Sequence, residues 1–309
     1  MLILWIILGV IAFLVLAVLI ISYICFRMAF FANRKKQKKG FTMPVGKIYE
    51  EHSDVMKTWA QEVKQMPYKQ FSITSFDGLK LCGKYYEYSP DAPIELMFHG
   101  YRGSAERDLC GGVQRCFKLG HSAFLVDQRT SGDSEGNIIS FGVNERKDCL
   151  KWIDFLIEHF GKDVKIIICG ISMGASTVLM ASGEELPENV IGVLADCGFN
   201  SAKDIIKSVI EKMGLPKNIA YPFVKLGARL YGGFDLEETC AEDALKNCKV
   251  PVILFHGDAD DFVPASMSKT NYDACPTRKQ LVNIKGAGHG LSYIIDPDLY
   301  LNSLKEFFA

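Results

Sequence analysis

Lys165 to Thr177 reads KIIICGISMGAST: a run of β-branched residues, then a serine between two glycines, then small residues that tolerate a helix. The apolar run is short enough for a strand buried on both faces, and the small residues behind it suit a helix. A serine placed between them fits the G-x-S-x-G turn, in which a sharp, strained backbone lifts the hydroxyl above the end of a sheet. The helix that follows turns its N-terminal amides and partial positive charge toward the same point. Ser172 is therefore the candidate nucleophile, provided the rest of the chain supplies a base and an acid.

Six histidines are available: His52, His99, His121, His159, His256 and His289. His289 stands in GAGHG, after the last predicted strand, downstream of an acid that itself follows Ser172. It is the candidate base. The segment PVILFHGDADDFVP offers Asp258, Asp260 and Asp261 as the acid that orients it. Asp260 is favoured, because the turn after His256-Gly257 swings that position toward the histidine. Asp258 is read as serving the turn and Asp261 as exposed, while Asp196, after the strand VIGVLA, is a further candidate. The order Ser…Asp…His is that of α/β-hydrolases. Two backbone N–H groups would hold an oxyanion: that of Met173, next to the nucleophile, and that of Tyr101 in MFHGYRGS, where Gly100 permits close approach. His99 is read as structural.

The surrounding pattern alternates strands and helices. FSITSF and LKLCGKYYEY flank Asp77-Gly78, a hairpin signal. IELMF (94–98), SAFLVD (122–127), KIIIC (165–169), VIGVLA (190–195), PVILF (251–255) and KQLVNI (279–284) read as strands of a mostly parallel sheet. Helices are expected over 145–160 and 175–186. Residues 200–249 carry no strand signal and are read as helices forming a candidate cap over the site. The aromatics Tyr221, Phe223, Tyr231 and Phe234 within them suit core packing better than a substrate pocket.

Residues 1–26 contain no charge and exceed the ~20 residues a membrane-crossing helix requires. Positive residues follow the apolar run instead of preceding it, which argues against a cleaved signal peptide. Arg27 and NRKKQKK (33–39) place the downstream side in the cytoplasm by the positive-inside rule. The reading is an anchor at 1–26, a basic linker and amphipathic helix at 27–66 with Gly40–Gly46 as linker, and a catalytic domain at 67–309. The amphipathic helix is expected over Lys47–Met66, stopped by Pro67. A net charge of −1 gives no electrostatic basis for nucleic-acid binding. Ten scattered cysteines include no C-x-x-C pair, so they are read as reduced core residues, and no metal or organic cofactor is expected.

With these motifs assembled, the chain from about Phe71 onward resembles the serine hydrolases of the α/β-hydrolase fold. FHGYRG, DQRTSGDSEG, GISMG and the pair HGDADDFVP with GAGHG occur in that family's order. The general likeness is to bacterial membrane-anchored members of the prolyl-oligopeptidase or serine-aminopeptidase-like branch, and it leaves residues 1 to about 66 uncovered. The resemblance implies a central mostly parallel sheet with flanking helices, and Asp260 as the acid of the triad. It also implies a loop-tying role for Asp127 and Arg129, with Thr130 standing where glycine is usual. Its members include esterases, lipases, thioesterases and peptidases. A carboxylic ester, cleaved through an acyl-enzyme, is the expected substrate. The alternatives are an amide or peptide, lipid hydrolysis at the membrane face, or a non-catalytic scaffold of the same fold.

Overall fold

The computed structural model describes residues 1–33 and 46–309. The basic run after Asn33 and most of the expected linker at 40–46 lie outside the described residues. The chain opens with α1 (Leu2–Ala29), then α2 (Lys47–Glu50) and α3 (Ser53–Gln65), followed by β1 (Lys69–Thr74), β2 (Lys80–Tyr86) and β3 (Ile94–Phe98). Next come α4 (Ala105–Asp108), α5 (Cys110–Leu119), β4 (Ser122–Asp127), α6 (Glu145–Phe160), β5 (Ile166–Ile171), α7 (Met173–Ala181) and β6 (Val190–Asp196). The remainder is α8 (Ala202–Lys212), α9 (Lys217–Gly227) with a π-helical turn at Ala228–Gly232, α10 (Ala241–Leu245), β7 (Val252–Gly257), α11 (Ala265–Ala274), β8 (Lys279–Ile284), α12 (Ser292–Ile295) and α13 (Pro297–Phe308).

The eight strands form one sheet in the order β1-β2-β4-β3-β5-β6-β7-β8. β1 and β2 pair antiparallel around Asp77-Gly78, β2 meets β4 antiparallel, and the strands from β4 to β8 run parallel. β3, β4 and β7 are buried along their whole length, as continuous apolar strands in a sheet covered on both faces must be. One face carries α6, α7 and the helices of 200–249 around Trp152, Phe98 and Phe124. The other carries α5 and α13 around Val113, Phe255 and Phe307.

Two expected helices differ from the sequence reading. The helix expected over Lys47–Met66 is two helices, broken at Glu51-His52, where His52 leaves the helical region with φ −107° and ψ 7°. Met66 is extended, as the residue before a proline must be. The helix expected at 175–186 begins at Met173 and ends at Ala181, ahead of Ser182-Gly183. Residues 200–249 are helical, with α8 capped by the Ser201 hydroxyl, which accepts from the Asp204 N–H.

α1 is long and apolar enough to cross a membrane, and most of its side chains are exposed. Its final turns are different. Ser22 and Phe26 are buried against α9 and the π-turn, and Phe30 is buried against Phe141 and Phe234. Phe31 then bridges to Ile138, with Ala32 N–H donating to Asn137 O at 2.8 Å and Ile139 N–H to Phe30 O at 2.8 Å. The ten cysteines are all free, and eight of them are buried.

Under the sheet, Glu95 on β3 is almost fully buried between Arg115 of α5, which donates to it, and His121, whose Nδ1 lies 2.9 Å from Oε1. Burial alone would raise its carboxyl; the Arg115 charge and the His121 hydrogen bond overcome that and hold it down to about 2, from an ordinary 4.5. A carboxylate depressed in the folded state stabilises the fold fully above its unfolded value and loses that contribution as pH falls toward the folded one. Chemical denaturation in detergent should therefore show stability draining between about pH 4.5 and 2. Glu95→Gln should cost about 3–5 kcal/mol at neutral pH by stranding Arg115, and should flatten this acid limb. An unchanged midpoint in the variant would contradict the pairing.

Candidate active site

Ser172 follows β5 and caps α7 with φ 55° and ψ −119°, a left-handed conformation that a non-glycine residue adopts only when its surroundings hold it there. Two glycines make that possible. A Cβ on Gly170 would lie 2.2 Å from backbone atoms of Gly174, and one on Gly174 would lie 2.0 Å from Phe98 O. The helix thus returns over β5 and β3 with no room for a methyl group. The Ser172 N–H is held by Asp196 O at 2.8 Å, which ties the turn to β6.

His289 comes from the loop after β8. Its Nε2 lies 2.9 Å from Ser172 Oγ and its Nδ1 lies 2.7 Å from Asp260 Oδ2. With Nδ1 carrying the proton toward the carboxylate, Nε2 is free to accept from the serine hydroxyl. Asp260 Oδ1 accepts from the N–H groups of Phe262 and Val263, both at 2.9 Å, so a turn after β7 fixes the carboxylate. Its side chain is fully buried, which would raise its pKa. Hydrogen bonds from His256 and His289 outweigh burial and hold the carboxyl well below the usual carboxylate range. Phe262 packs on the His289 ring at 5.1 Å between centroids.

The other candidates are occupied elsewhere. Asp258 Oδ1 accepts from Gly286 N–H at 2.6 Å, and Asp261 is exposed. Asp196 accepts from the Ser292 hydroxyl at 2.7 Å, and burial raises its carboxyl to about 6. His99 is buried, its Nε2 accepting from Gln128 N–H at 3.1 Å, and burial lowers its pKa. Cys197 Sγ approaches Asp260 and His289 closely enough to complete a ligand set for a metal. Burial pushes that thiol well above its usual range, however, and the other two side chains already bond to each other.

Met173 is the first residue of α7, so its N–H has no intrahelical partner and points to the Ser172 side of the helix end. Tyr101 follows Gly100, whose N–H donates to Asp108 Oδ2 at 2.9 Å; a Cβ on Gly100 would lie 3.4 Å from Ser172 Cβ. The loop bearing Tyr101 is thereby drawn up against the serine.

Some contacts carry no sequence signal. His256 Nε2 lies 3.3 Å from Asp260 Oδ2 and 2.9 Å from Val263 O, so one carboxylate stands between two imidazoles. Its i, i+4 spacing to Asp260 is visible in HGDAD, but a turn lacks the regular geometry that would make such spacing diagnostic. Tyr49 Oη donates to His289 O at 3.0 Å, and Tyr101 Oη donates to Ala29 O at 2.7 Å. Both join residues far apart in the chain.

A cavity of about 600 Å³ opens over Ser172 and His289, walled by Tyr49, Met56, Tyr101, Ile171 and Phe262. Among the described residues, none of its lining belongs to 200–249, so α2 and α3 stand where the expected cap would. Of the four aromatics within that stretch, Tyr221 and Phe234 are buried in the core and none lines this cavity. In the second motif loop, Arg129 grips Asp148 (2.7 and 2.8 Å) and Asp77 (3.0 and 3.2 Å). Asp127 Oδ2 accepts from Asp133 N–H at 3.2 Å. Thr130 takes φ 78°, the conformation for which glycine is the ordinary choice.

No family model matches the chain. It is 26% identical over 250 residues to the uncharacterized protein YqkD of Bacillus subtilis, covering 80% of this chain and 81% of YqkD. The Pyrococcus furiosus esterase Pf2001 superposes with a TM-score of 0.64 at 22% identity, over 88% of this chain and 97% of that one. The α/β hydrolase GrgF from Penicillium sp. sh18 gives 0.62 at 15% identity, over 79% and 98%. The chain has the α/β-hydrolase fold.

Gly174→Ala should displace α7 from β3 and lower the melting temperature by several degrees, as overpacking by one methyl costs about 1–3 kcal/mol. An unchanged melting temperature would show that the elbow has slack the geometry denies.

Proposed function

We propose that the protein is a serine hydrolase that cleaves carboxylic esters through an acyl-enzyme. The observation that carries this reading is the unbroken line from Ser172 Oγ to His289 Nε2, and from His289 Nδ1 to Asp260, at the floor of an open cavity. His289 takes the Ser172 proton as the oxygen attacks the ester carbonyl. Asp260 stabilises the imidazolium and fixes its tautomer. The tetrahedral oxyanion lies against the Met173 and Tyr101 N–H groups. Collapse expels the alcohol, which receives the proton from His289, and a water repeats the sequence to release the acid. No step calls on a metal or organic cofactor. The likeness to an esterase of the same fold supports an ester over an amide, and Met56, Ile171 and Phe262 give an acyl or alkyl group apolar surface in a cavity whose lining also includes Lys47, Arg107, Asp108 and Asp261.

Intact-mass labelling of the full chain in detergent with a fluorophosphonate should add one adduct, absent from Ser172→Ala. Ester turnover in that variant should fall by several orders of magnitude, with folding retained. A folded wild-type protein that takes no adduct would overturn the reading.

A further inference from the structure

The domain does not hang from α1 by a tether alone; it grips the helix along its last three turns. Trp5 and Tyr23 stand 18 residues apart, about 27 Å at 1.5 Å per residue, close to the ~30 Å of a hydrocarbon layer. Aromatic residues of this kind settle at the two membrane interfaces, and Arg27, the first charge, follows one turn after Tyr23. Tyr23 therefore marks the interfacial plane on the domain side.

The domain reaches that plane and passes it. Tyr231 Oη donates to Leu19 O at 3.0 Å, one turn to the bilayer side of Tyr23, and the two tyrosine rings meet edge-on at 5.2 Å. Gly227 crosses α1 at Ser22 so closely that a Cβ there would lie 2.4 Å from Ser22 O. Close crossing on small residues is how helices associate inside membranes. With Tyr23 at the interface, the π-turn Ala228–Gly232 would stand level with the boundary between acyl chains and headgroups.

An apolar stripe runs along its outer side. Ile219, Phe223, Leu226 and Leu230 recur at spacings of four, three and four, with Ile219 and Leu230 exposed and Phe223 and Leu226 half-buried, whereas Tyr221, Val224 and Ala228 form the stripe buried in the core. Leu230 is 51% exposed, immediately beside the α1 contact. On the corner itself the charges are paired, Lys225 with Glu237 and Arg229 with Asp235, so its own side chains offer little attraction to anionic lipid, unlike Arg27 at the end of α1.

We propose that the corner formed by the end of α9 and the π-turn is seated in the lipid bilayer, with Leu230 and Leu226 among the acyl chains beside α1. Apolar burial drives the contact, and headgroup charge contributes little. The consequence for the site is one of distance. Tyr101 Oη bonds Ala29 O, and Arg102 Nη2 bonds Met28 O and Phe31 O at 2.8 and 3.1 Å. These bonds fix the Tyr101 loop, which faces Ser172, to α1 some six residues past Tyr23, about 9 Å from the interfacial plane. The seating itself does not depend on what Ser172 does.

The test uses the full chain reconstituted in phosphatidylcholine vesicles, with the two cysteines that are not buried, Cys25 and Cys240, changed to Ser. The environment-sensitive fluorophore NBD is attached at Leu230→Cys, Leu14→Cys or Lys305→Cys, the last on the opposite side of the sheet. At Leu230 the emission should be blue-shifted and quenched by lipid-tail nitroxides several-fold more than at Lys305. Aqueous iodide should quench it weakly, and added phosphatidylglycerol should change nothing. A label at Leu226→Cys gives the same reading should the one at Leu230 disturb the turn. Iodide quenching at both corner positions equal to that at Lys305 would overturn the proposal. So would a Leu14 label that the tail nitroxides fail to reach, because α1 would then lie outside the bilayer.

Discussion

Everything at the carboxyl edge of the sheet is arranged around a backbone that Ser172 would not choose for itself. A φ of 55° at a serine is tolerable only because α7 lies directly on β5 and β3, and that contact exists only because positions 170 and 174 have no side chain. Once the elbow is fixed, the ends of neighbouring strands become the only places from which partners can reach the hydroxyl. Asp196 at the end of β6 holds the Ser172 N–H, the turn after β7 delivers Asp260, and the loop after β8 delivers His289. Parallel strands with crossover helices put all those ends on one edge, which is why such sheets bind ligands there.

The electrostatics follow from burial. Asp260 is shielded from water and still remains a carboxylate, because two backbone N–H groups and two imidazoles face it. The pull is mutual at His256, where burial would lower the pKa but Asp260 raises it. On the opposite wall, Asp108 anchors Gly100 while α1's last carbonyls accept from Tyr101 and Arg102. The loop facing Ser172 is thus braced from the protein core on one side and from the apolar N-terminal helix on the other.

Much of this was legible in the sequence, for identifiable reasons. Strands such as IELMF and SAFLVD match β3 and β4 residue for residue, because fully buried strands are unbroken apolar runs. Ser172, Asp260 and His289 stand out since each follows such a run at a glycine-rich turn, and the structure brings their side chains within hydrogen-bonding distance. What the sequence did not disclose are contacts between distant segments. Nothing in YPFVKLGARLYGG says that Gly227 rests on Ser22, or that these helices support α1 and leave the cavity to α2 and α3. Tyr49 and Tyr101 were equally silent, because a tyrosine's hydroxyl partner is set by tertiary position and not by local pattern.

The central claim is that Ser172 is acylated and then freed by water. Stopped-flow mixing of the full chain in detergent with an activated nitrophenyl ester tests it most directly. The account predicts a burst of nitrophenol approaching one equivalent per chain, followed by slower steady release, with the acyl group located on Ser172 by mass spectrometry of the quenched protein. Steady release with no burst and no acyl adduct on Ser172, from protein that turns the ester over, would contradict it.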